Sequence, residues 1–169
     1  MVAKSYGRSL IELISISFIL SIVAMIALPN LQDLSNKNAR TQTVNQMMSL
    51  LHHGRSSAVF SRRIVSLCHG AKSCSGSTRW DNSLLIFVDK NANGQRDAED
   101  ELLLHADIAD QFSWHWNRTK GYVQFEADGT TRAMNGTLTL CRRGIPEHQV
   151  VISLAGRIRS QQPGRTARC

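Results

Sequence analysis

The sequence predicts an α+β fold in which a long N-terminal α-helix packs on a mostly antiparallel β-sheet head. Three observations carry that expectation. Apolar residues run almost unbroken from Leu10 to Leu28. Beyond Pro29 they recur at three-, four- and seven-residue steps, the spacing of one helix face. From Ile64 onward that period gives way to short apolar or alternating runs, separated by Gly, Asn and Asp turn signals.

The first run follows a short leader carrying Lys4 and Arg8, is interrupted by Glu12 and is stopped by Pro29. As a helix it spans about 28 Å, close to the thickness of a bilayer core. The chain beyond it is therefore expected outside the cytoplasm. An ionised Glu near the start of a membrane helix costs about 2.5 kcal/mol or more unless it finds a partner, so Glu12 calls for a functional explanation. The helix then continues through Leu31, Leu34, Val44, Met47, Met48, Leu51, Ala58 and Val59 to the neighbourhood of Phe60 and Ser61, with Gly54 as a weak point.

Gly7, Leu10, Ile11, Glu12 and Pro29 resemble a type IV prepilin signal. The resemblance implies cleavage after Gly7 by a prepilin peptidase and N-methylation of the new terminus. It also implies that Glu12 pairs with the terminal amine of a neighbouring pilin subunit. The family usually begins its mature chain with Phe, whereas this chain would begin with Arg8. The implied organisation is a leader over residues 1–7, a transmembrane and assembly helix over 8–29, and a periplasmic helix continuation with a globular head over 30–169. The alternative reading of the N-terminus is an ordinary signal anchor or an uncleaved signal peptide.

Strands are expected at Ile64–Cys68, Leu84–Val88, Leu102–Leu104, Phe112–Trp116, Tyr122–Glu126 and Thr137–Cys141. A final and longest strand is expected at Gln149–Arg159. Asp128 and Gly129 mark a turn. Trp114 and Trp116, two apart, face one side and read as core.

The 169 residues leave room for one domain after the N-terminal helix, and the net charge of +7 argues for an anionic partner. Cys68, Cys74, Cys141 and Cys169 all lie beyond the membrane segment, where two disulfides are the natural expectation; their three pairings stay open. One pairing closes a tight loop between Cys68 and Cys74 and leaves Cys141 to hold Cys169.

Asp89, Asn91, Asn93, Gly94, Asp97 and Asp100 follow the spacing of a calcium loop. Position 12 is Asp rather than the longer Glu, and strands rather than helices flank the segment. It reads better as a polar hairpin loop, and no cofactor or metal is assigned. His52, His53, His69, His105, His115 and His148 are scattered with no catalytic signature beside them, so an enzyme is not expected.

The C-terminal end carries the sharper signal. Alternation along a single strand places Arg157 and Arg159 side by side on its outer face. Arg142, Arg143, Arg165 and Arg168 add to the positive charge, and from Cys141 onward Glu147 is the only acidic side chain. Guanidinium forks suit phosphate oxygens, which gives a DNA contact without sequence readout.

VSLC at Val65–Cys68 with Cys74 after it, Trp80, IFVDKNANGQRD, TLTLC at Thr137–Cys141 and VVISLAGRIR at Val150–Arg159 together resemble the minor pilins and pseudopilins of the GspH/FimT family, and FimT-like members most. The resemblance implies a type IV pilin-like fold. It further implies non-specific DNA capture for natural transformation through a GRxR motif, here Gly156, Arg157, Ile158 and Arg159. The implied partners are DNA, other pilin subunits, the prepilin peptidase and, before assembly, the inner membrane; the implied destination is the pilus, at or near its tip. The competing reading is a structural minor pilin or type II secretion pseudopilin that primes filament assembly without binding DNA.

Overall fold

The computed structural model describes residues 10–131 and 133–169, with the side chains of residues 26–30 left out. Gly7 and Arg8 lie outside the described residues. The chain divides into a unit of residues 1–39 and a compact unit Arg40–Cys169. One helix, α1 (Leu10–Ser61), contributes to both, and its end falls where the sequence period places it. Glu12 sits in its first turn. Among the described residues no helix is long and apolar enough to cross a membrane. The expected span depends on Leu10 to Leu28, and residues 26–28 of that run fall within the segment whose side chains are left out.

In the first unit Leu31 and Leu34 are exposed, so the amphipathic stretch begins to bury its apolar face only from Thr43 and Val44. In the second unit Met47, Leu50, Leu51 and Ala58 are buried. Gly54 allows the close approach: a Cβ there would lie 2.6 Å from Leu67 Cδ1 and 3.6 Å from Phe125 Cδ2. The residue that weakens helix propensity is the one that lets α1 settle on strands β1 (Val65–His69) and β6 (Tyr122–Phe125).

Instead of one sheet there are two, both built of antiparallel pairs. The first has the order β4-β3-β1-β6, with β3 at Ser83–Val88 and β4 at Glu101–Asp107. The second has the order β2-β5-β7-β8-β9: β2 at Arg79–Trp80, β5 at Ser113–Trp116, β7 at Gly136–Arg142, β8 at Ile145–Ile152 and β9 at Ile158–Gln161. Two residues are too few to show a period, which is why β2 is not legible as a strand. Trp114 and Trp116 are both buried, and the Trp116 ring stacks 6.4 Å from Trp80. Pro146 is accommodated where the β7–β8 register shifts between Leu140 and Cys141, since a proline cannot donate to a regular ladder.

The single long strand expected at Gln149–Arg159 is two strands. Gly156 adopts φ +70° and donates its N–H to Ser153 O at 2.8 Å, turning the chain between β8 and β9. The apolar alternation therefore fails in the middle: Val150, Ile152 and Ile158 are buried, but Leu154 stands 57% exposed at the turn.

Both disulfides form, Cys68–Cys74 and Cys141–Cys169. The second closes a loop with sequence separation 28, worth about 3 to 4 kcal/mol if the main effect is to restrict the unfolded chain.

The Asp89–Asp100 segment is held by its own hydrogen bonds. Asp89, 1% exposed, accepts from Ser66 Oγ (2.7 Å), Gln124 Nε2 (3.0 Å), Asn93 N (3.2 Å) and Gly94 N (2.8 Å). Asp100 accepts from the backbone N–H groups of Lys90 and Asp97, and Asp97 from the amides of Asn91 and Asn93. Among the described residues no group of His, Cys, Asp and Glu stands ready to hold a metal. Asp89→Ala removes an acceptor shared by four donors in a buried site and leaves Ser66 Oγ and Gly94 N without theirs; it is expected to lower unfolding free energy by about 2–4 kcal/mol in denaturant titration.

Candidate nucleic-acid interface

The backbone of the GRxR segment is fixed by three elements. Arg55 on α1 donates through Nε to Gly129 O (3.0 Å) and through Nη2 to Ala155 O (3.3 Å). Thr131 donates its N–H to Leu154 O (3.0 Å) and its hydroxyl to Ser153 O (3.1 Å). Within the turn, Ser153 N donates to Arg157 O (2.9 Å) and Arg157 N to Ser153 Oγ (3.0 Å). A Cβ at Gly156 would lie 1.9 Å from Gly129 O, so this position needs glycine for space as well as for its positive φ.

The neighbouring Asp128–Gly129 turn forms as expected, with Gly129 at φ +79°. The N–H and hydroxyl of Thr130 hold the exposed Asp128 carboxyl below the usual carboxylate range.

Arg157 and Arg159 are exposed on either side of Ile158, which is 8% exposed and anchors β9. The expected single strand carrying both is not formed: Arg157 lies in the turn before β9, and Arg159 lies within β9. Arg159 pairs with Val151 on β8. Among the described residues neither arginine has a carboxylate partner.

The other four arginines are not gathered with them. Arg142 donates to Glu147 Oε1 at 2.6 Å and lies 5.9 Å from the Phe112 ring centroid, so much of its charge is already answered. Arg143, at φ 51°, is exposed at the tip joining β7 and β8, the end of that hairpin remote from Arg157. Arg165 and Arg168 are exposed on the tail, which the Cys141–Cys169 bond ties back to β7.

The tail lies over the outer face of the second sheet. Directly opposed residues there form one cross-strand row, Arg79, His115, Thr139, Gln149 and Gln161. Gln149 knits the row to the tail: its Nε2 donates to Thr139 Oγ1 (3.2 Å), and its Oε1 accepts from Gln161 Nε2 and Gly164 N, both at 3.3 Å. Sequence reasoning weighs only His115 among them as a candidate site residue, because adjacency across five strands depends on pairing that a linear pattern does not carry.

Burial and, after it, the Arg79 guanidinium push the His115 pKa below its ordinary value, against the opposing pull of Asp81. Burial and Arg40 do the same to His148. A second arrangement appears only in three dimensions: His69 Nδ1 shares a 2.7 Å hydrogen bond with Ser75 Oγ while its Nε2 lies 3.1 Å from Asp81 Oδ1. Ser75 Oγ already accepts from Ser77 N (3.1 Å). This chain staples the Cys68–Cys74 loop to the residues after β2.

Residues 43–156 match the family model described as type II transport protein GspH. Two crystal forms of the type IV minor pilin FimU of Pseudomonas aeruginosa strain PAO1 share the fold. One has a TM-score of 0.59 and 24% identity, covering 72% of this chain and 91% of that chain. The other has a TM-score of 0.61 and 23% identity, covering 80% and 96%. No curated protein matches the chain. A long N-terminal helix with its second half laid on antiparallel sheets is thus the architecture of a type IV minor pilin or pseudopilin. The chain belongs to the GspH family.

Gly156→Ala is expected to lose on the order of 1–3 kcal/mol of stability, through strain at positive φ and the clash with Gly129 O, read as a lower melting temperature. The depressed His115 pKa means that below its ordinary value the unfolded chain takes up a proton more readily than the fold. Stability is therefore expected to fall as pH drops through the range just below 6.5. Melting at pH 7.5 and pH 5 checks this, and His115→Gln should reduce the difference.

Proposed function

We propose that this minor pilin binds DNA non-specifically through its C-terminal arginines and supports DNA uptake in natural transformation. The observation that carries the reading is the pair Arg157 and Arg159: exposed, without a carboxylate partner among the described residues, and borne by a backbone held to Arg55, Gly129 and Thr131. A guanidinium on a fixed backbone meets a phosphate with two parallel charged hydrogen bonds and gives up little backbone freedom in doing so. Arg165, Arg168 and Arg143 extend the contact along the duplex, whereas Arg142 contributes less because Glu147 competes for it. Phosphate contacts of this kind hold any sequence.

In this reading the prepilin peptidase cleaves after Gly7, and Glu12 pairs with the terminal amine of a neighbouring pilin. The head is then carried from the inner membrane into the filament, at or near its tip. A second reading is favoured by the likeness in fold to FimU: a structural minor pilin or pseudopilin that primes filament assembly and does not hold DNA. Deletion would then abolish pili, and the protein would not retain DNA at physiological salt.

The test is a salt series with the full chain and a duplex of arbitrary sequence. Replacing Arg157→Gln and Arg159→Gln together should weaken binding and flatten the slope of log K against log salt by about two, one per lost phosphate contact. Arg142→Gln should change the slope by less. Unchanged affinity in the double variant would sink the DNA reading.

A further inference from the structure

The outer face of the second sheet holds a groove of about 560 Å3 that the phosphate contacts alone do not use. Its floor is the row from His115 through Thr139 and Gln149 to Gln161, and its far wall is the tail from Gly164 to Cys169. No Asp or Glu side chain lines it, and Arg168 does. By strand alternation Arg159 lies on the same face as Gln161, two positions away along β9.

The lining divides into groups already committed and groups still available. Gln149 and Thr139 are engaged with each other and with the tail, which makes the floor rigid. Gln161 uses one amide N–H on Gln149, and its Oε1 has no partner among the described residues. Asn117 accepts from Thr137 N (2.8 Å) and leaves its amide donors without an acceptor there. The Thr166 hydroxyl and the His115 ring are likewise uncommitted, and His115 is held toward its neutral form, able to donate from one nitrogen and accept at the other.

We propose that this groove seats one unpaired nucleotide of a DNA strand whose phosphates lie on Arg157, Arg159 and Arg168, so that the protein prefers single-stranded DNA and frayed ends to blunt duplex. The inference rests on the DNA-binding reading above and adds the form of DNA recognised. The volume falls in the range of about 300–1,000 Å3 that suits a small organic ligand. Amides that both donate and accept, alongside a neutral imidazole and a hydroxyl, match the Watson–Crick edge of a base, which is available only when the base is unpaired. A side-chain amide also presents either polarity on rotation, so the groove tolerates different bases.

A neutral glycan is the competing occupant for a groove of polar side chains. The cations Arg159 and Arg168, with no acidic side chain in the lining, favour an anion over a neutral sugar. Trp116, 4% exposed, offers no open ring face for a sugar to stack upon, so hydrogen bonds to the base edge rather than stacking hold the ligand.

The experiment is fluorescence anisotropy of the full, disulfide-bonded chain with three labelled probes carrying equal numbers of phosphates: a blunt duplex, the same duplex with an unpaired overhang, and a single strand. A neutral maltooligosaccharide serves as a fourth ligand. The overhang and single strand should bind about tenfold more tightly than the blunt duplex. Gln161→Leu and Thr166→Val, each close to the original volume, should bring that ratio toward one and leave duplex binding as it was. Equal affinity for all three probes, unaffected by the two variants, overturns the groove assignment and leaves the arginine contacts standing. Failure to bind any of the DNA probes overturns both. Binding of the oligosaccharide, lost in the same variants and without preference among the DNA probes, also overturns the assignment.

Discussion

The approach of Gly156 to the carbonyl of Gly129 is the constraint on which the C-terminal region depends. Gly129 lies in the turn after β6, at the edge of the first sheet, and Gly156 lies in the turn between β8 and β9, at the edge of the second. Arg55 reaches from α1 to a carbonyl in each turn. One guanidinium and one missing side chain thus join the helix and both sheets. A charged donor shared between two carbonyls is stronger than a neutral hydrogen bond, and the space left by the absent Cβ is what lets the two turns share it. Without that junction the last strand would follow the long alternating course its sequence suggests, and Arg157 would belong to a sheet instead of to a braced turn.

Charge is distributed over both sheets. The acidic side chains Asp97, Glu99, Asp100 and Glu101 belong to the loop between β3 and β4 and to the start of β4, the edge strand of the first sheet. Of the arginines named for the candidate interface, Arg159 belongs to β9, the edge strand of the second, Arg165 and Arg168 to the tail, Arg157 to the turn before β9, and Arg143 to the tip joining β7 and β8. At the acidic edge Glu101 lies 3.6 Å from the guanidinium of Arg63. Where a carboxylate does stand within the basic region, as Glu147 does, it claims its arginine directly.

Much of this is legible in the sequence, and the limits have physical causes. The end of α1 can be read because a long amphipathic period is a strong signal, and the apolar run Leu84–Val88 because a strand buried on both faces has no polar interruption. Gly54 reads as a weakness because propensity is local, whereas its contact with Leu67 is not. The β8–β9 turn is hidden for a related reason. Leu154 sits where an uninterrupted strand would bury it, and only the partner at Gly129 reveals why Gly156 turns the chain. The arginines of the candidate interface can be named from composition, but not the tethering of Arg142 by Glu147 or the cross-strand row beneath the tail. Both depend on register, which alternation within one strand does not set.

The character of the basic edge bears on which of its two readings the chemistry suits. A surface meant to be covered by another protein subunit usually has an apolar centre with charges at its rim. Here Leu154 is exposed at the turn and Val59 of α1 is exposed beside Gly129, while arginines and amide side chains occupy the neighbouring face of the second sheet. Cations and amides on that face suit the proposed phosphate contacts, with the exposed Asp128 carboxyl as the acidic side chain of the adjoining turn. The tail adds to this in energetic terms. A free arginine-rich segment gives up about 1–2 kcal/mol of backbone entropy for each residue it orders on binding. The bond from Cys169 to Cys141 and the contact of Gly164 with Gln149 place that ordering within folding instead of within binding. Capture of a flexible polyanion benefits from it directly.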